Sequence, residues 1–305
     1  MAKIRIGTRG SKLALWQAYY IESLLKEKGH ETEIVTIETK GDKILDRALS
    51  KVGGKGVFTE ELEEQLTNKK IDIAVHSAKD LQSDLGPDFK IIAFTERELV
   101  HDVIVSYDKN CLKKESPVLG TSSVRRTAMV KHYLPNCQTV NMRGNLQTRL
   151  KKLKEGQCDA LILAYAGVHR MEYNNLIVQE LNTEEFTPPV GQGSVAIEVS
   201  TGIEPGLEGK IREAVNHKAS EYCLLAERAF LKKLEGGCSI PAFGNAVLSN
   251  NSITLTGGII SPDGTQLVKK EIKGDLTNAE TLGTSLAITV LENGGREILE
   301  ELKVN

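Results

Sequence analysis

One stretch of the sequence indicates both the fold class and a candidate site: Ile71-Asp72-Ile73-Ala74-Val75-His76-Ser77-Ala78-Lys79-Asp80. Its first half is apolar and largely β-branched, which predicts a buried strand, and small and ionisable residues follow directly. In open α/β sheets, ligands bind beyond the carboxyl ends of the strands. Asp80 is therefore a candidate catalytic carboxylate that could protonate a leaving group or stabilise a developing cation. The alternative is an aspartate that caps a helix in an ordinary turn.

Length and composition set the class of protein. The 305 residues are enough for two or three domains, and the apolar and charged fractions, 40% and 26%, are those of a soluble globular protein. The net charge of −2 argues against a general nucleic-acid binder. No run approaches the roughly 18 apolar residues that a membrane helix needs, and no signal peptide precedes the first predicted strand. We therefore expect a cytoplasmic protein without a membrane or nucleic-acid partner.

The cysteines indicate one candidate nucleophile and no metal site. The five are Cys111, Cys137, Cys158, Cys223 and Cys238. They form no Cys-x-x-Cys pair and have no histidine at metal-ligand spacing, so we expect reduced thiols and no bound metal. Cys238 differs from the others because Gly236-Gly237 precedes it and Pro241 follows, which predicts a tight, exposed loop. A thiol on such a loop is a candidate nucleophile or attachment point; the alternative is an ordinary loop cysteine.

Two similar turns predict two similar lobes. Gly7-Thr8-Arg9-Gly10-Ser11 follows the first predicted strand, and Gly120-Thr121-Ser122-Ser123 follows a later one. In each turn a serine can cap the next helix. Arginines lie beside both turns: Arg9 in the first, and Arg125 with Arg126 in the second. Helix N-terminal amides with a nearby arginine are suited to carboxylates or phosphates.

Further cationic side chains support a shared anion site. Arg143, Arg149 and Arg170 lie in or after turns that end predicted strands, and Lys51 and Lys55 lie in a glycine-rich segment. That segment lacks the spacing of a nucleotide P-loop, and a plain flexible loop is its alternative interpretation. Arginines that recur at strand ends favour an anion site over a solvated charged surface.

These motifs resemble, in order and along nearly the whole chain, those of the porphobilinogen deaminase (hydroxymethylbilane synthase) family. The matching motifs are Gly7–Ser11, Leu13–Gln17, Lys51–Gly56, Ala74–Ser77 with Lys79-Asp80, Gly120–Ser123 with Arg125-Arg126, Arg143–Asn145, Val190–Gly193 and Leu234–Cys238. The last motif contains the family's attachment cysteine and is highly specific. Two departures lie beside Asp80: Ala78 stands where the family has Met or Leu, and Leu81–Leu85 lacks the usual proline.

The resemblance implies an α/β fold with two periplasmic-binding-protein-like (type II) lobes, a double-crossover hinge and a small α/β C-terminal domain. Independently, Thr187–Gly193, with its paired prolines and its glycines, predicts a crossing between lobes. The expected boundaries are 1–97 with 196–216 for the first lobe, 98–195 for the second lobe and 217–305 for the C-terminal domain.

The resemblance also implies an activity and its residues. A dipyrromethane cofactor would be joined to Cys238 by a thioether, and four porphobilinogen molecules would be added head to tail, with loss of ammonia, before linear hydroxymethylbilane is hydrolysed off. Asp80 would help ammonia leave, stabilise the azafulvene-type cation and assist proton loss. The implied cofactor-binding residues are Ser77, Lys79, Thr121, Ser123, Arg125, Arg126, Arg143 and Gln192. The implied substrate-binding residues are Arg9, Ser11, Lys51, Lys55, Phe58, Arg149 and Arg170.

Two other functions stay open at this point. Hinged two-lobe proteins often only bind a ligand, so a non-enzymatic anion-binding module is one alternative. A transferase or hydrolase with a cysteine nucleophile is another, and it would need a histidine near Cys238. The family resemblance itself implies a monomer that passes its product to the next enzyme of tetrapyrrole biosynthesis.

Overall fold

A computed structural model of the chain describes residues 3–39, 59–235 and 240–304. They form two compact units, the first within Met1–Glu98 and Gly193–Glu221 and the second within Leu99–Gln192 and Tyr222–Asn305. Four of the predicted site residues lie outside the described residues: Lys51, Lys55, Phe58 and Cys238.

The first unit is built on a five-stranded sheet with helices against it. Its strands are β1 (Ile4–Arg9), β2 (Thr32–Ile37), β3 (Ile73–Ser77), β4 (Phe89–Phe94) and β10 (Val195–Ser200). Its helices are α1 (Lys12–Glu27), α2 (Glu60–Thr67) and α6 (Pro205–Val215). The strand order is β2-β1-β3-β10-β4, with β1 parallel to both of its neighbours and β10 antiparallel to both of its own. After the second unit begins, the chain therefore returns to the first sheet at β10.

The opening stretch forms the centre of this sheet, as its apolar run predicts. Ile73 is fully buried and packs in one core with Ile6 and Ile197, and with Ile21 of α1. The strand begins at Ile73 rather than Ile71 because the Asp72 carboxylate accepts hydrogen bonds from Arg5 N and Nε, at 2.8 and 3.0 Å.

The second unit contains a second five-stranded sheet and a three-stranded sheet. The strands are β5 (Asp102–Val105), β6 (Val118–Thr121), β7 (Gln138–Asn141), β8 (Ala160–Ala164), β9 (Ile177–Glu180), β11 (Ala242–Ser249), β12 (Ser252–Ile260) and β13 (Leu267–Asp275). The helices are α3 (Val124–Tyr133), α4 (Leu146–Lys154), α5 (Tyr165–Arg170), α7 (Lys218–Lys233), which belongs to this unit from Tyr222 onward, α8 (Ala279–Val290) and α9 (Arg296–Val304).

The two five-stranded sheets repeat one arrangement. The second has the order β7-β6-β8-β5-β9, so the strand with the Gly-Thr turn, β6 here and β1 in the first sheet, has a parallel partner on each side. In both sheets the next-to-last strand is antiparallel to its neighbours. The predicted α/β class with two lobes and a smaller C-terminal α/β domain is confirmed. The exact domain boundaries stay a prediction.

The C-terminal strands pack against α3 inside the second unit. Phe243 and Ile260 share a core with Ala128 and Met129 of α3. The turn between β12 and β13 contains Gly264, whose φ is +78°, and its carbonyl oxygen accepts a hydrogen bond from His132 Nδ1 at 2.7 Å. The arginine-bearing helix and the C-terminal sheet are therefore held together. In the part of the chain that the structure describes, no helix has the length and apolar character to cross a membrane.

Replacing Gly283 by alanine should destabilise the second unit, because α8 approaches α7 too closely for a Cβ. A Cβ there would collide with the Ala226 carbonyl oxygen and lie 2.8 Å from Phe230 N. Alanine gains about 1 kcal/mol in helix propensity over glycine. Overpacking costs about 1–3 kcal/mol, and backbone atoms cannot move aside as a side chain can. We expect the free energy of unfolding, measured by urea denaturation, to fall.

Gly209 in α6 provides the matched control, since nothing lies within 4 Å of its Cβ position. Gly209→Ala should raise the free energy of unfolding by about 0.5–1 kcal/mol. A Gly283→Ala protein as stable as the parent would contradict the close approach of α7 and α8.

Candidate functional site

A pocket in the first unit contains Asp80. Its cavity of about 80 Å³ is lined by residues from the ends of β1 and β3 and from the start of α1. Among them are Arg9, Ser11, Gln17, His76, Ser77 and Asp80. The carboxyl ends of the two parallel strands and the adjoining helix α1 thus bring together six polar or ionisable side chains that the sequence motifs contain.

Asp80 lies on a single turn of 3-10 helix, Ala78–Asp80, that directly follows β3. Ala78 is buried and its N–H donates to the Ser194 carbonyl at 3.0 Å, which fixes the turn and leaves Asp80 exposed. Leu81, the next residue, is extended, so Asp80 does not begin a longer helix. Among the described residues no group donates a hydrogen bond to the Asp80 carboxylate. The alternative interpretation, a helix-capping aspartate, is not observed.

Gln17 is a pocket residue that was not among the predicted site residues. It is buried on α1, and its Nε2 donates to Ser77 Oγ at 2.8 Å. Because the Ser77 hydroxyl accepts this bond, its own hydrogen can be donated to an anion. Ser11 caps α1 as predicted, its Oγ accepting from Ala14 N at 3.3 Å. The available signal for Gln17 was a polar residue on the apolar face of a helix.

A buried contact between a histidine and a glutamate lies on the strands beside Ser77. His76 Nε2 is 2.9 Å from Glu198 Oε2, and both side chains are almost fully buried. Glu63 of α2 interacts with both, and burial raises the pKa of Glu63 above its ordinary value while a hydrogen bond with Thr59 opposes the rise. His76 and Glu198 had no predicted site role, because each is a single ionisable residue in an apolar strand.

In the second unit, Arg125 and Arg126 converge on one buried carboxylate, Asp102. Arg125 Nη2 donates to Asp102 Oδ2 at 2.6 Å, and Arg126 donates through Nη2 to Oδ1 at 2.7 Å and through Nε to Oδ2 at 3.1 Å. Gln192 Nε2 adds a bond to Oδ1 at 2.8 Å. We call these four residues the Asp102 cluster. All four are buried.

The charges in the Asp102 cluster keep the aspartate ionised. Burial by itself would raise the pKa of Asp102, but the positive charges and hydrogen bonds of Arg126 and Arg125 outweigh it and hold the pKa well below the ordinary value. Because the unfolded-state pKa is about 3.9, this contribution to stability is fully present at higher pH. It is lost only as the pH falls through the lower, folded-state value.

The remaining donors of the Asp102 cluster bind mostly to main-chain oxygens. Arg125 Nη1 donates to Thr187 O at 2.9 Å, and Arg126 Nη1 to Ile162 O at 3.0 Å. The Gln192 amide nitrogen also donates to Val100 O at 2.7 Å, so both of its N–H groups are committed. Asp102 was not among the predicted site residues, although both arginines and the glutamine were. Their direct contact with a cofactor stays a prediction.

The predicted turn residues of the second unit lie around the start of α3. Ser123 caps α3 and its N–H donates to Thr121 Oγ1 at 3.2 Å. Arg149 joins the neighbouring turn to this one, because Nε donates to Gly144 O at 2.8 Å and Nη2 to Ser122 Oγ at 3.3 Å. Gly144 has a φ of +111°, which favours glycine.

The predicted residues thus divide between the two units. Arg9, Ser11, Ser77, Lys79 and Asp80 belong to the first unit. The second contains Thr121, Ser123, Arg125, Arg126, Arg143, Arg149, Arg170 and Gln192. Arg143 and Arg170 are half-buried, in a turn and at the end of α5. Within the described ranges, no three His, Cys, Asp or Glu side chains group together as metal ligands would.

Two family descriptions match the chain. Residues 4–205 match "Porphobilinogen deaminase, dipyromethane cofactor binding domain", and residues 221–292 match "Porphobilinogen deaminase, C-terminal domain". The porphobilinogen deaminase of Cytophaga hutchinsonii is 53% identical over 302 residues, which cover 98% of this chain and 97% of that relative. The porphobilinogen deaminase of Desulfosudis oleivorans is 51% identical over 304 residues, covering 99% and 98%.

Solved structures also show similarity to part of the chain. The Methionine Binding Protein, MetQ, is 12% identical with a TM-score of 0.46, covering 70% of this chain and 89% of that one. A substrate binding domain of a putative amino acid ABC transporter from Streptococcus pneumoniae is 12% identical with a TM-score of 0.43, covering 70% and 91%.

Arg126→Met should lower the free energy of unfolding by about 3–5 kcal/mol, because it leaves a buried carboxylate with too few partners. Two of the four hydrogen bonds to Asp102 would be lost. Arg149→Met is the comparison, since Arg149 is half-buried and donates hydrogen bonds to the Gly144 carbonyl and the Ser122 hydroxyl. Its loss should cost about 1 kcal/mol. Equal losses in urea denaturation at neutral pH would contradict a charge-dependent Asp102 cluster.

Proposed function

The chain belongs to the porphobilinogen deaminase family, and from that premise we propose that it joins four porphobilinogen molecules head to tail and releases linear hydroxymethylbilane. It is a transferase of tetrapyrrole biosynthesis with a dipyrromethane cofactor. The family matches favour this enzyme over a non-enzymatic anion-binding module.

The observation that carries the proposal is the environment of Asp80. It is an exposed carboxylate beyond the end of β3, in a pocket with Arg9 and Ser77. Since no described residue donates a hydrogen bond to it, its oxygens are available to hold or move a proton. We assign Asp80 the catalytic role: it helps ammonia leave, stabilises the positive charge that develops and takes the proton lost from the attacked pyrrole carbon.

The donor set of the second unit fits an anionic cofactor. The Asp102 cluster has two guanidinium groups for one carboxylate, and Arg125 Nε is buried without a hydrogen-bond partner among the described residues. The dipyrromethane, when bound, supplies the primer to which substrate units are added. We assign its binding to Ser77, Lys79, Thr121, Ser123, Arg125, Arg126, Arg143 and Gln192, and its covalent attachment to the Cys238 thiol.

The remaining predicted residues are assigned to the substrate and the growing chain. They are Arg9, Ser11, Lys51, Lys55, Phe58, Arg149 and Arg170. Each porphobilinogen unit has two carboxylates, so negative charge accumulates as the chain grows. Arginine matches a carboxylate bidentately, which explains why this chemistry needs several of them.

The finer expectations rest on the resemblance of the motifs alone and belong to the same proposal. The cofactor bond is a thioether, the enzyme acts as a cytoplasmic monomer, and its product passes to the next enzyme on the route to haem or a related tetrapyrrole. Light scattering of the purified protein would measure the oligomeric state directly.

Asp80→Asn should fold and still bind pyrrole chains but should elongate them far more slowly. The substitution keeps the size of the side chain and removes both the charge and the proton acceptor. General acid–base catalysis is worth about 10²–10⁴ in rate. Asp80→Glu should retain more activity, since the carboxylate survives about one methylene out of place. Single-turnover formation of enzyme-bound chains, followed by intact mass, measures the rate.

Asp84→Asn is the matched control for that experiment. Asp84 is exposed on the same loop, and its carboxylate accepts a hydrogen bond from Gly86 N at 3.3 Å. It should elongate at the parental rate. If Asp80→Asn does so too, the catalytic group lies elsewhere.

Cys238→Ser should abolish the covalent modification that the proposal requires. Protein purified from cells that make porphobilinogen should be heavier than its sequence by a two-pyrrole unit, and the variant should have the sequence mass. Cys137→Ser is the control, because Cys137 is half-buried and burial raises the pKa of its thiol, which makes it a poor nucleophile. An unmodified parent protein, or a modified Cys238→Ser, would refute the attachment site.

A further inference from the structure

Asp102 has no capacity left for a ligand of its own. Its Oδ1 accepts from Arg126 Nη2 and Gln192 Nε2, and its Oδ2 accepts from Arg125 Nη2 and Arg126 Nε. Four hydrogen bonds fill the four acceptor positions of a carboxylate. The residue is fully buried, at 0% exposed. Any effect of Asp102 on the reaction must therefore act through the side chains that it holds.

The Asp102 cluster has one positive charge more than it has negative. Two guanidinium groups face a single carboxylate. Their other partners are neutral: the carbonyl oxygens of Ile162 and Thr187 and the sulfur of Met129. A buried charge without a counter-charge is unfavourable. A bound anion would therefore balance the excess positive charge of the two guanidinium groups.

One hydrogen-bond donor in the Asp102 cluster also has no acceptor among the described residues. Arg125 is 3% exposed, and its Nε is buried with no hydrogen-bond partner in the described part of the chain. Buried N–H groups almost always have a partner. The unmatched donor and the unmatched charge belong to the same guanidinium group, which Asp102 and the Thr187 carbonyl hold in place.

We propose that Asp102 is a positioning residue for loading of the dipyrromethane cofactor. It holds Arg125 and Arg126 in the one arrangement that leaves a donor and a net positive charge for an anionic pyrrole side chain. Gln192 supports it, because its amide binds Asp102 and Val100 O. This inference rests on the proposed function and assigns a role to a residue that contacts neither the cofactor nor the substrate.

The arrangement of the arginines depends on the charge of Asp102. An asparagine has the same shape but places an N–H₂ group where one carboxylate oxygen accepts from guanidinium donors. The two guanidinium groups would then repel each other without a counter-charge, and the pair would rearrange. A glutamate keeps the charge on a side chain one methylene longer and should restore part of the function.

The test is the loading of apoprotein by porphobilinogen, followed as the gain in intact mass, for the parent, Asp102→Asn and Asp102→Glu. We expect Asp102→Asn to need at least about tenfold more porphobilinogen for half-maximal loading, the size of effect that the loss of charged hydrogen bonds gives. The rate of loading at saturating porphobilinogen should change much less, because the proposed catalytic residue Asp80 is not substituted. Asp102→Glu should lie between the two.

Asp159→Asn is the matched control. Asp159 is a carboxylate in the same unit, and it binds Lys114 and accepts from Val118 N at 2.7 Å, at the other end of the sheet. It should lower stability without changing the concentration for half-maximal loading. If Asp102→Asn does not fold, Asp102→Glu carries the test, because it moves the carboxylate by one methylene and should still need more porphobilinogen than the parent for half-maximal loading.

The possible results distinguish a failure of this inference from a failure of the proposed function. Half-maximal loading of Asp102→Asn or, if that variant does not fold, of Asp102→Glu at the parental concentration would overturn the inference. An equal shift in Asp159→Asn would also overturn it, because the effect would then be general loss of structure. A parent apoprotein that gains no mass would refute the proposed function itself.

Discussion

The ion pairs at Asp102 are the interaction on which the second unit depends. One carboxylate joins the first residue of β5, the first turn of α3 and the 187–192 segment, which are separated by 23 to 90 positions in the chain. Apolar packing alone tolerates small shifts of one element past another. A fully hydrogen-bonded buried charge does not, because any shift leaves a charged group without its partners. The positions of Arg125 and Arg126 are therefore fixed far more narrowly than a surface arginine would be.

A second buried carboxylate, on α7, also holds the 187–192 segment in place. Glu227 of α7 is fully buried, and it accepts from Gly191 N at 2.8 Å and from Ala246 N at 2.7 Å. Gly191 adjoins Gln192, which binds Asp102. Helix α7, through Glu227, and the arginine-bearing helix α3, through Asp102, are therefore both hydrogen-bonded to the short stretch 191–192. This explains why the C-terminal sheet and the second lobe form one compact unit.

Local sequence signals predicted the elements and the turns, but not the buried partners. Serines before apolar helices identified the caps at Ser11 and Ser123, and an apolar run identified β3. Asp102, Glu227 and the His76–Glu198 pair were missed because their partners lie 19 to 122 positions away. A single acidic residue beside apolar ones has the same local pattern whether it faces solvent or a buried cation. β11 was missed because its Gly and Asn are typical of turns, although Gly244 packs against the ring of Phe230.

The two aspartates of interest differ in how many hydrogen bonds they accept, and this decides what each can do. Asp102 accepts four, and the arginines hold its pKa well below the ordinary value, so it stays a fixed negative charge. Asp80 is exposed and accepts none from the described residues. Only a carboxylate with available oxygens can take up a proton, give it back and repeat the exchange for each added unit. The same residue type therefore provides structural order in one unit and chemistry in the other.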